Sequence, residues 1–262
     1  MAARRPSLHV GAPAPQPQPG HLRRHRVELA DGARTTVHVA RHDPRRAAVR
    51  VVRLGRATAL ERWCLANGVA EAVVGGFFVR PDGLSLGELR TRGIAQPTLP
   101  FTAPWDAVRA CVHVDGAHVT IVRRDELPAE PRGDLLQAGP LLVRRGAPCA
   151  DGDPEGFSAG AAQFDSDITA GRYPRAALAV ARDGAVLALA CDGRADDEAG
   201  LTLGELAETL VALGAVDALN LDGGGSTSLV CGGALRNVPR EEHGIVLDGG
   251  RPVSTVIAFT PR

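Results

Sequence analysis

The feature that most constrains this chain is a stretch at residues 220–228, in which three consecutive glycines follow an alternating apolar and polar segment. Leu219 and Leu221 alternate with Asn220 and Asp222, which is the period of a strand with one buried face. The two polar side chains are therefore expected to project from one face. The glycines let the backbone approach a bound group closely, and their N–H groups can line an anion-binding concavity. A plain glycine-rich turn capped by a carboxylate also fits these residues.

A second informative stretch, residues 175–194, predicts a β-hairpin. Two apolar runs flank an Asp-Gly pair, which favours a two-residue turn. With that turn, Arg175 lies directly opposite Asp192, and Arg194 is the diagonal neighbour on the same face of the sheet. The base of the hairpin is thus expected to hold two guanidinium groups and a carboxylate. A structural cross-strand ion pair would give the same pattern, so the residues alone leave both interpretations open.

The remaining patterns predict a single α+β domain, residues 21–262, with a large mixed β-sheet and few helices. Residues 1–20 are rich in proline and predict a disordered tail. Similar capping-box strings begin at Leu84 and Leu201, and each predicts the start of a helix. An acidic, glycine-rich stretch at 149–173 predicts a solvated loop over the cleft.

Composition and cysteine usage exclude several classes of function. Thirty basic and thirty acidic residues give a formal net charge of zero, so no nucleic-acid partner is indicated. The five cysteines are widely spaced and odd in number, which favours free thiols in a reducing, cytoplasmic compartment. No apolar segment is long enough to span a bilayer and no secretory signal is evident, so no membrane partner is predicted. Nothing in the sequence predicts an oligomeric state.

Several strings resemble the phosphodiester glycosidase family, whose members include N-acetylglucosamine-1-phosphodiester α-N-acetylglucosaminidases and bacterial proteins related to exopolysaccharide biosynthesis. The string Asn-Leu-Asp-Gly-Gly-Gly-Ser-Thr is similar to the family signature. Arg175 opens a counterpart of the family's Arg-Thr-Ala segment, and Asp192 opens its Asp-Gly-Arg segment. The run at 75–78 resembles the family's Asn-Gly-Gly-Phe-Phe segment, with Val74 in place of the Asn. The resemblance spans roughly residues 69–259.

This resemblance implies a hydrolase that cleaves the glycosidic bond of a sugar-1-phosphodiester, on a glycan or on a cell-wall or exopolysaccharide-related substrate. Glycosidases commonly use two carboxylates, here Asp222 and Asp192, with Asp222 as the base or nucleophile. Guanidinium forks match phosphate oxygens. The expected substrate-binding residues are Arg175, Arg194, Asn220, Gly223, Gly224, Gly225, Ser226, Thr227, Gly75, Gly76, Phe77 and Asn237.

Two alternatives stay open on the sequence. A metal-dependent phosphodiesterase would use the same aspartates as ligands. A non-catalytic carbohydrate-binding protein would be consistent with Val74 in place of the family's Asn. No cofactor and no metal ligand is predicted, because the acidic residues of the 149–173 stretch do not have EF-hand spacing. A divalent cation is compatible with them but is not indicated by their spacing.

Overall fold

The computed structural model describes residues 21–79, 83–151, 153–158 and 171–262, and the predicted tail at 1–20 lies outside these ranges. The described helices are α1 (Leu60–Asn67), α2 (Trp105–Val108) and α3 (Leu203–Ala212). The described strands are β1 (Leu22–Glu28), β2 (Arg34–His42), β3 (Ala47–Thr58), β4 (Glu71–Val74), β5 (Phe78–Val79), β6 (Leu84–Ser85), β7 (Leu89–Thr91), β8 (Ile94–Ala95), β9 (Ala110–Asp115), β10 (His118–Arg123), β11 (Asp134–Gln137), β12 (Leu141–Arg144), β13 (Ala147–Pro148), β14 (Arg175–Ala181), β15 (Val186–Cys191), β16 (Ala215–Asn220), β17 (Leu229–Cys231), β18 (Ala234–Leu235) and β19 (Val253–Pro261).

These strands form several antiparallel sheets. One has seven strands in the order β1-β2-β15-β14-β16-β12-β13, and two have five, in the orders β10-β9-β11-β7-β8 and β18-β17-β4-β19-β3. Strands β5 and β6 pair as a separate ribbon. Every pairing between these strands is antiparallel, and one isolated bridge outside them, between Leu86 and Leu99, is parallel. The prediction of a large mixed sheet is therefore wrong: the strands are divided among several sheets, and neighbours pair antiparallel whether they are joined by a hairpin, as β14 and β15 are, or are distant in sequence, as β2 and β15 are. Strands dominate the chain and helices are few.

The core lies on both faces of the seven-stranded sheet. Leu178 belongs to a cluster shared with the two five-stranded sheets, whereas Leu189 belongs to a second cluster beneath α3. Both faces of β14 and β15 are buried, so the strands read as continuous apolar runs. Within the described ranges, no helix has the length and apolar character of a membrane span, and the longest, α3, has ten residues.

Helix α3 confirms the prediction made from the string that begins at Leu201. The Thr202 hydroxyl accepts the N–H of Glu205 at 3.1 Å, and a Glu205 carboxylate oxygen accepts the N–H of Thr202 at 2.9 Å. Leu206 and Leu210 bury the apolar stripe, which contributes roughly 1.5–3 kcal/mol for each side chain. Helix α3 leads directly into β16, and it therefore connects the β14–β15 hairpin to the strand that ends at Asn220.

The similar string that begins at Leu84 does not start a helix, so that prediction is wrong. Leu84 and Ser85 form β6, and Leu89 pairs with Leu136 of β11. Residues 90–94 contain two arginines and a glycine where a helix would need an apolar stripe at helical spacing. A capping string therefore leads to a helix only where the following residues can bury one face.

The β14–β15 hairpin closes one residue differently from the prediction. Ala181 pairs with Ala185 across a three-residue loop, and Gly184 takes a left-handed conformation with φ of 84°. The expected pairing of Arg175 with Asp192 is therefore wrong, because Arg175 stands opposite Cys191. A slip of one residue exchanges the two faces of a strand, so Asp192 points away from the face that carries Arg175.

The acidic stretch is only partly a solvated loop. Glu155 is 4 % exposed, and its carboxylate accepts the N–H groups of Ala110, at 2.6 Å, and of Leu141. Arg109, which is fully buried, donates to the Glu155 carbonyl at 3.1 Å, and burial lowers the pKa of this guanidinium to about 10. The prediction of a solvated loop is wrong for Glu155, whereas residues 159–170 lie outside the described ranges.

Candidate functional site

The glycine stretch at 220–228 follows β16 and holds Asp222 in place. The Gly223 N–H donates to Asp222 Oδ1 at 3.0 Å, and the Gly224 N–H donates to the Pro174 carbonyl at 2.9 Å. Two further N–H groups of the stretch bond to carbonyls within it. Because these donors are already used by the protein, the loop is shaped to position the carboxylate.

Asp222 lies against the segment that follows β4. Its N–H donates to the Gly75 carbonyl at 3.0 Å, and the Gly76 N–H donates to the Thr255 hydroxyl at 3.0 Å. A Cβ on Gly75 would lie 2.8 Å from the Thr255 carbonyl carbon, so no side chain fits there. Phe77, which follows these two glycines, is 5 % exposed and packs in a mainly aromatic cluster. The structure thus brings together the predicted residues of two segments that are far apart in sequence.

Four buried polar atoms of the same stretch have no hydrogen-bond partner within the described part of the chain. They are the amide oxygen of Asn220 and the hydroxyls of Ser226, Thr227 and Ser228. Asn220 is held by its other amide atom, which donates to the Gly139 carbonyl at 3.0 Å. A buried polar atom without a partner costs about 1–3 kcal/mol. Four of them in one short stretch indicate a polar lining for ordered water or a ligand.

The two predicted arginines meet at one aromatic ring. The guanidinium carbons of Arg175 and Arg194 lie 5.5 and 5.3 Å from the centroid of Tyr173. Arg175 is 2 % exposed and donates from Nε to the Leu201 carbonyl at 3.1 Å. Arg194 donates to the Arg240 carbonyl at 3.2 Å. The ring and the backbone carbonyls hold both cations in fixed positions, each contact with the ring contributing about 0.5–1 kcal/mol or more.

Backbone contacts place the start of β14 beside the loop that carries Asp222. Pro174, which precedes Arg175, accepts the Gly224 N–H, and the Ala176 carbonyl accepts the Leu221 N–H at 2.9 Å. Asn220 stands opposite Ala177 in the pairing of β14 with β16, and so shares a sheet face with Arg175. The guanidinium groups, the Asn220 amide and the glycine loop converge because the start of β14 lies beside the end of β16.

Glu241 is a carboxylate at this site that the sequence analysis missed. It accepts Nε of Arg251 at 2.7 Å and lies 3.9 Å from Nη1 of Arg194. A Cβ on Gly225 would lie 2.7 Å from Glu241 Oε1, so the glycine leaves room for this carboxylate. Tyr173 was missed as well. No local motif marks Glu241, whereas the position of Tyr173 two residues before Arg175 was an available signal.

Asp192 occupies a different environment from Asp222. It is 5 % exposed, its Oδ2 lies 3.0 Å from His38 Nε2, and its Oδ1 accepts the Val238 N–H at 2.6 Å. The neighbouring Asn237 is 4 % exposed and bonds to backbone groups of β17 and of the glycine stretch. Both oxygens of Asp192 thus engage the protein, which favours a supporting role for this carboxylate.

The family model for phosphodiester glycosidase matches residues 67–260. The chain therefore belongs to the phosphodiester glycosidase family, which confirms the resemblance drawn from its motifs. No curated protein matches the chain.

Solved structures share the fold at low sequence identity. The catalytic domain of zebrafish N-acetylglucosamine-1-phosphodiester α-N-acetylglucosaminidase, auto-inhibited by its pro-peptide, is 20 % identical with a TM-score of 0.70, over 92 % of this chain and 82 % of that one. A hypothetical protein from Synechocystis is 22 % identical with a TM-score of 0.62, over 91 % of this chain and 61 % of that one. A putative exported protein from Burkholderia pseudomallei is 19 % identical with a TM-score of 0.59, over 88 % and 74 % of the two chains.

Proposed function

We propose that this protein hydrolyses the glycosidic bond of a sugar-1-phosphodiester. The observation that carries the proposal is the meeting of two guanidinium groups at the Tyr173 ring, beside the loop that presents Asp222. Two fixed guanidinium groups match the oxygens of a phosphate group in charge and in geometry, and a sugar-1-phosphodiester presents such a group. The partnerless hydroxyls of the same loop then have polar partners in a sugar or its phosphate.

In the proposed reaction, Asp222 acts in one of two ways: it takes a proton from a water that attacks the anomeric carbon, or it attacks this carbon itself. In the second case a glycosyl ester forms, and water then hydrolyses it at the same carbon while the released Asp222 carboxylate takes the proton. In either course the bond from the anomeric carbon to the phosphate oxygen breaks. The electron pair leaves with a phosphate monoester. This leaving group is already acidic and needs little protonation, so a single carboxylate suffices for the proton from water. Arg175 and Arg194 stabilise the departing anion, and such fixed charges contribute more in a water-poor site than in solution.

We assign Asp192 a positioning role within this scheme. Its two oxygens join His38, on β2, to the backbone of Val238. That segment continues from Asn237, whose side chain holds the backbone of the glycine stretch. Asp192 thereby holds the segment at residues 237–238 in place, while Asp222 is the carboxylate proposed to react.

The experiment is hydrolysis of a panel of nitrophenyl sugar-1-phosphodiesters, with the corresponding nitrophenyl glycosides as the control. We expect turnover of the phosphodiesters only. In water enriched with heavy oxygen, the label should appear in the released sugar, since the carbon–oxygen bond breaks. Label in the phosphate would show cleavage at phosphorus and would contradict the proposal.

The same experiment decides between the alternatives. Cleavage at phosphorus is the outcome for a metal-dependent phosphodiesterase that uses the aspartates as ligands. Among the described residues, neither Asp192 nor Asp222 belongs to a group of three potential metal ligands. Sugar binding without any product is the outcome for a carbohydrate-binding protein. Val74 is fully buried in the core cluster, so its replacement of the family's Asn alters packing behind the site.

We also propose that the protein works in a reducing compartment, in keeping with a cytoplasmic location, on a substrate related to cell-wall or exopolysaccharide material. None of the five cysteines forms a disulfide, which supports the compartment. Fractionation of the source cells, with the redox state of the cysteines measured by alkylation, checks this part of the proposal.

A further inference from the structure

A second polar cluster lies away from the glycine stretch and takes no part in the proposed reaction. It is defined by four side chains and is called the four-residue cluster below: His21, His42, Glu71 and Cys231. The potential ligand atoms of the two histidines and the glutamate all lie within 4.8 Å of one another. Cys231 Sγ lies 3.4 Å from His21 Nε2.

The fold brings these side chains from two sheets. His21 directly precedes β1 and His42 ends β2, both in the seven-stranded sheet. Glu71 opens β4 and Cys231 ends β17, both in a five-stranded sheet. The antiparallel register of these two strands, in which Val230 pairs with Ala72, places Cys231 opposite Glu71. The cluster thus lies where side chains from the two sheets meet.

Three separations within the cluster lie near those of ligands around one metal ion. His21 Nε2 lies 3.0 Å and His42 Nε2 lies 3.9 Å from the same Glu71 oxygen, Oε2. With zinc–ligand bonds of about 2.0–2.3 Å in a tetrahedron, neighbouring ligand atoms stand about 3.3–3.6 Å apart. The separations of 3.0, 3.4 and 3.9 Å lie near this range. Cys231 Sγ is close to His21 but lies outside the group of three whose ligand atoms are all within 4.8 Å of one another, so a rotamer change of Cys231 is needed to complete the tetrahedron.

His42 supplies the second, independent observation. Its residue is 6 % exposed, and its Nε2 has no hydrogen-bond partner within the described residues. The ring stacks on Phe259 with centroids 3.8 Å apart, which fixes its direction. The other Glu71 oxygen, Oε1, accepts the Gly232 N–H at 3.1 Å, so Oε2 is left facing the imidazoles. Ligands oriented in this way by neighbouring groups are typical of metal centres.

We propose that the four-residue cluster binds one structural zinc ion. Two imidazoles, a carboxylate and a thiolate are zinc ligands, and four protein ligands close the tetrahedron. The thiolate and the imidazoles disfavour magnesium and calcium, which prefer oxygen. His21, whose side chain is 38 % exposed, gives the ion an entry path. The binding free energy holds the first hairpin, β1–β2, against β4 and β17.

The four-residue cluster extends beyond the region that the family model matches. The family model begins at residue 67, so both imidazoles lie outside the matched region, whereas Glu71 and Cys231 lie inside it. The four positions are scattered through the sequence and form no spacing motif. A site assembled from such distant positions leaves no spacing signal in the sequence.

The test uses the full-length, tag-free chain grown with zinc and dialysed to remove loosely bound metal. Elemental analysis should find about one zinc per chain. Cys231→Ser and His42→Ala should each lose most of it, while His25→Ala and Cys149→Ser should keep it, as residues of the same types outside the cluster. Zinc retained equally by all four variants would place the metal elsewhere and overturn the proposal.

A second measurement needs no variant and so does not depend on variant folding. Metal is stripped from the wild-type chain, and cobalt(II) is titrated in its place. We expect a thiolate-to-cobalt band in the near ultraviolet together with tetrahedral bands in the visible, both abolished by one equivalent of zinc. The zinc-loaded chain should unfold about 10 °C above the stripped chain. No cobalt band and no change in Tm would show that the cluster is a hydrogen-bonded network without metal.

Discussion

Strands β4 and β17 run side by side, with the glycine stretch at one end and the four-residue cluster at the other. The polar atoms of these two regions find their partners in different ways. At one end, Gly75 and the glycine stretch contribute buried backbone and small side chains, and several of the buried hydroxyls have no partner in the described residues. At the other end, about 10–13 Å away along β4, long side chains point at one another. A substrate-binding site keeps polar atoms unpaired so that they can bind a ligand. A metal site instead brings several ligand atoms together around one position. The two ends should therefore respond to mutation in opposite ways.

The largest expected effect is at the glycine end. Asp222→Asn removes the carboxylate proposed to react, and kcat/KM should fall about 10³-fold, or about 4 kcal/mol of transition-state stabilisation. The Tm and the zinc content should stay at their wild-type values. Steady-state kinetics with a nitrophenyl sugar-1-phosphodiester measure this, and turnover within twofold of wild type in a folded variant would refute the role of Asp222.

The reverse pattern is expected at the other end. Cys231→Ser should lower the Tm by about 10 °C, because the stabilisation from bound zinc is lost. Assayed well below that Tm, kcat should stay within about twofold of wild type, since Cys231 lies outside the proposed reaction. Calorimetry and kinetics on the same sample check both parts. A loss of activity with an unchanged Tm would mean that the two ends are not separate in function.

The next effect tests the phosphate clamp. Arg175→Lys and Arg194→Lys each keep a positive charge but lose the guanidinium fork, so kcat/KM should fall about 10–100-fold for phosphodiesters. Arg182→Lys, at the exposed tip of the same hairpin, is the matched control and should be unchanged. If the three variants behave alike, the arginines do not bind phosphate.

A smaller effect is expected for Glu241, which we regard as a positioning residue. Glu241→Gln weakens the bonds to Arg251 and leaves Arg194 less constrained, so kcat/KM should fall about tenfold. Because the change acts through Arg194, the double variant with Arg194→Lys should lose less than the two single variants combined. Fully additive losses would show that Glu241 acts by another route.

The smallest effect concerns neither end. Thr202→Ala removes the hydroxyl that caps α3, and unfolding free energy should fall by about 1 kcal/mol. Zinc content should not change, and kcat should not change either. Denaturant unfolding measures this loss, which gives the background against which the two ends are compared. A change in catalysis on this substitution would link α3 to the site.

Local sequence predicted those features that depend on neighbours in the chain. The cap of α3, the hairpin around Gly184 and the strand before Asp222 follow from turn chemistry and from periodicity, and the structure has each of them. The glycine-rich string was also enough to indicate the family, since it places a carboxylate and a close backbone approach in one short segment.

Other features were decided only when distant segments met. The strings at 84–89 and 201–206 are nearly the same, yet one pairs in sheets and the other starts a helix, because only the second precedes residues that bury one face. A single residue in the closure of the hairpin separated Arg175 from Asp192. Local propensity does not carry this information, since a turn with either two or three residues suits the same Asp-Gly pair.

The sequence by itself determined the strands, the capped helix, the glycine loop and the family, because each of these rests on interactions within a short segment. The tertiary structure decided which carboxylate lies beside the arginines and which four side chains face one another between the sheets. Glu241 and the four-residue cluster come from segments separated by up to about two hundred residues. Their convergence depends on strand register and sheet packing, which only the folded chain defines.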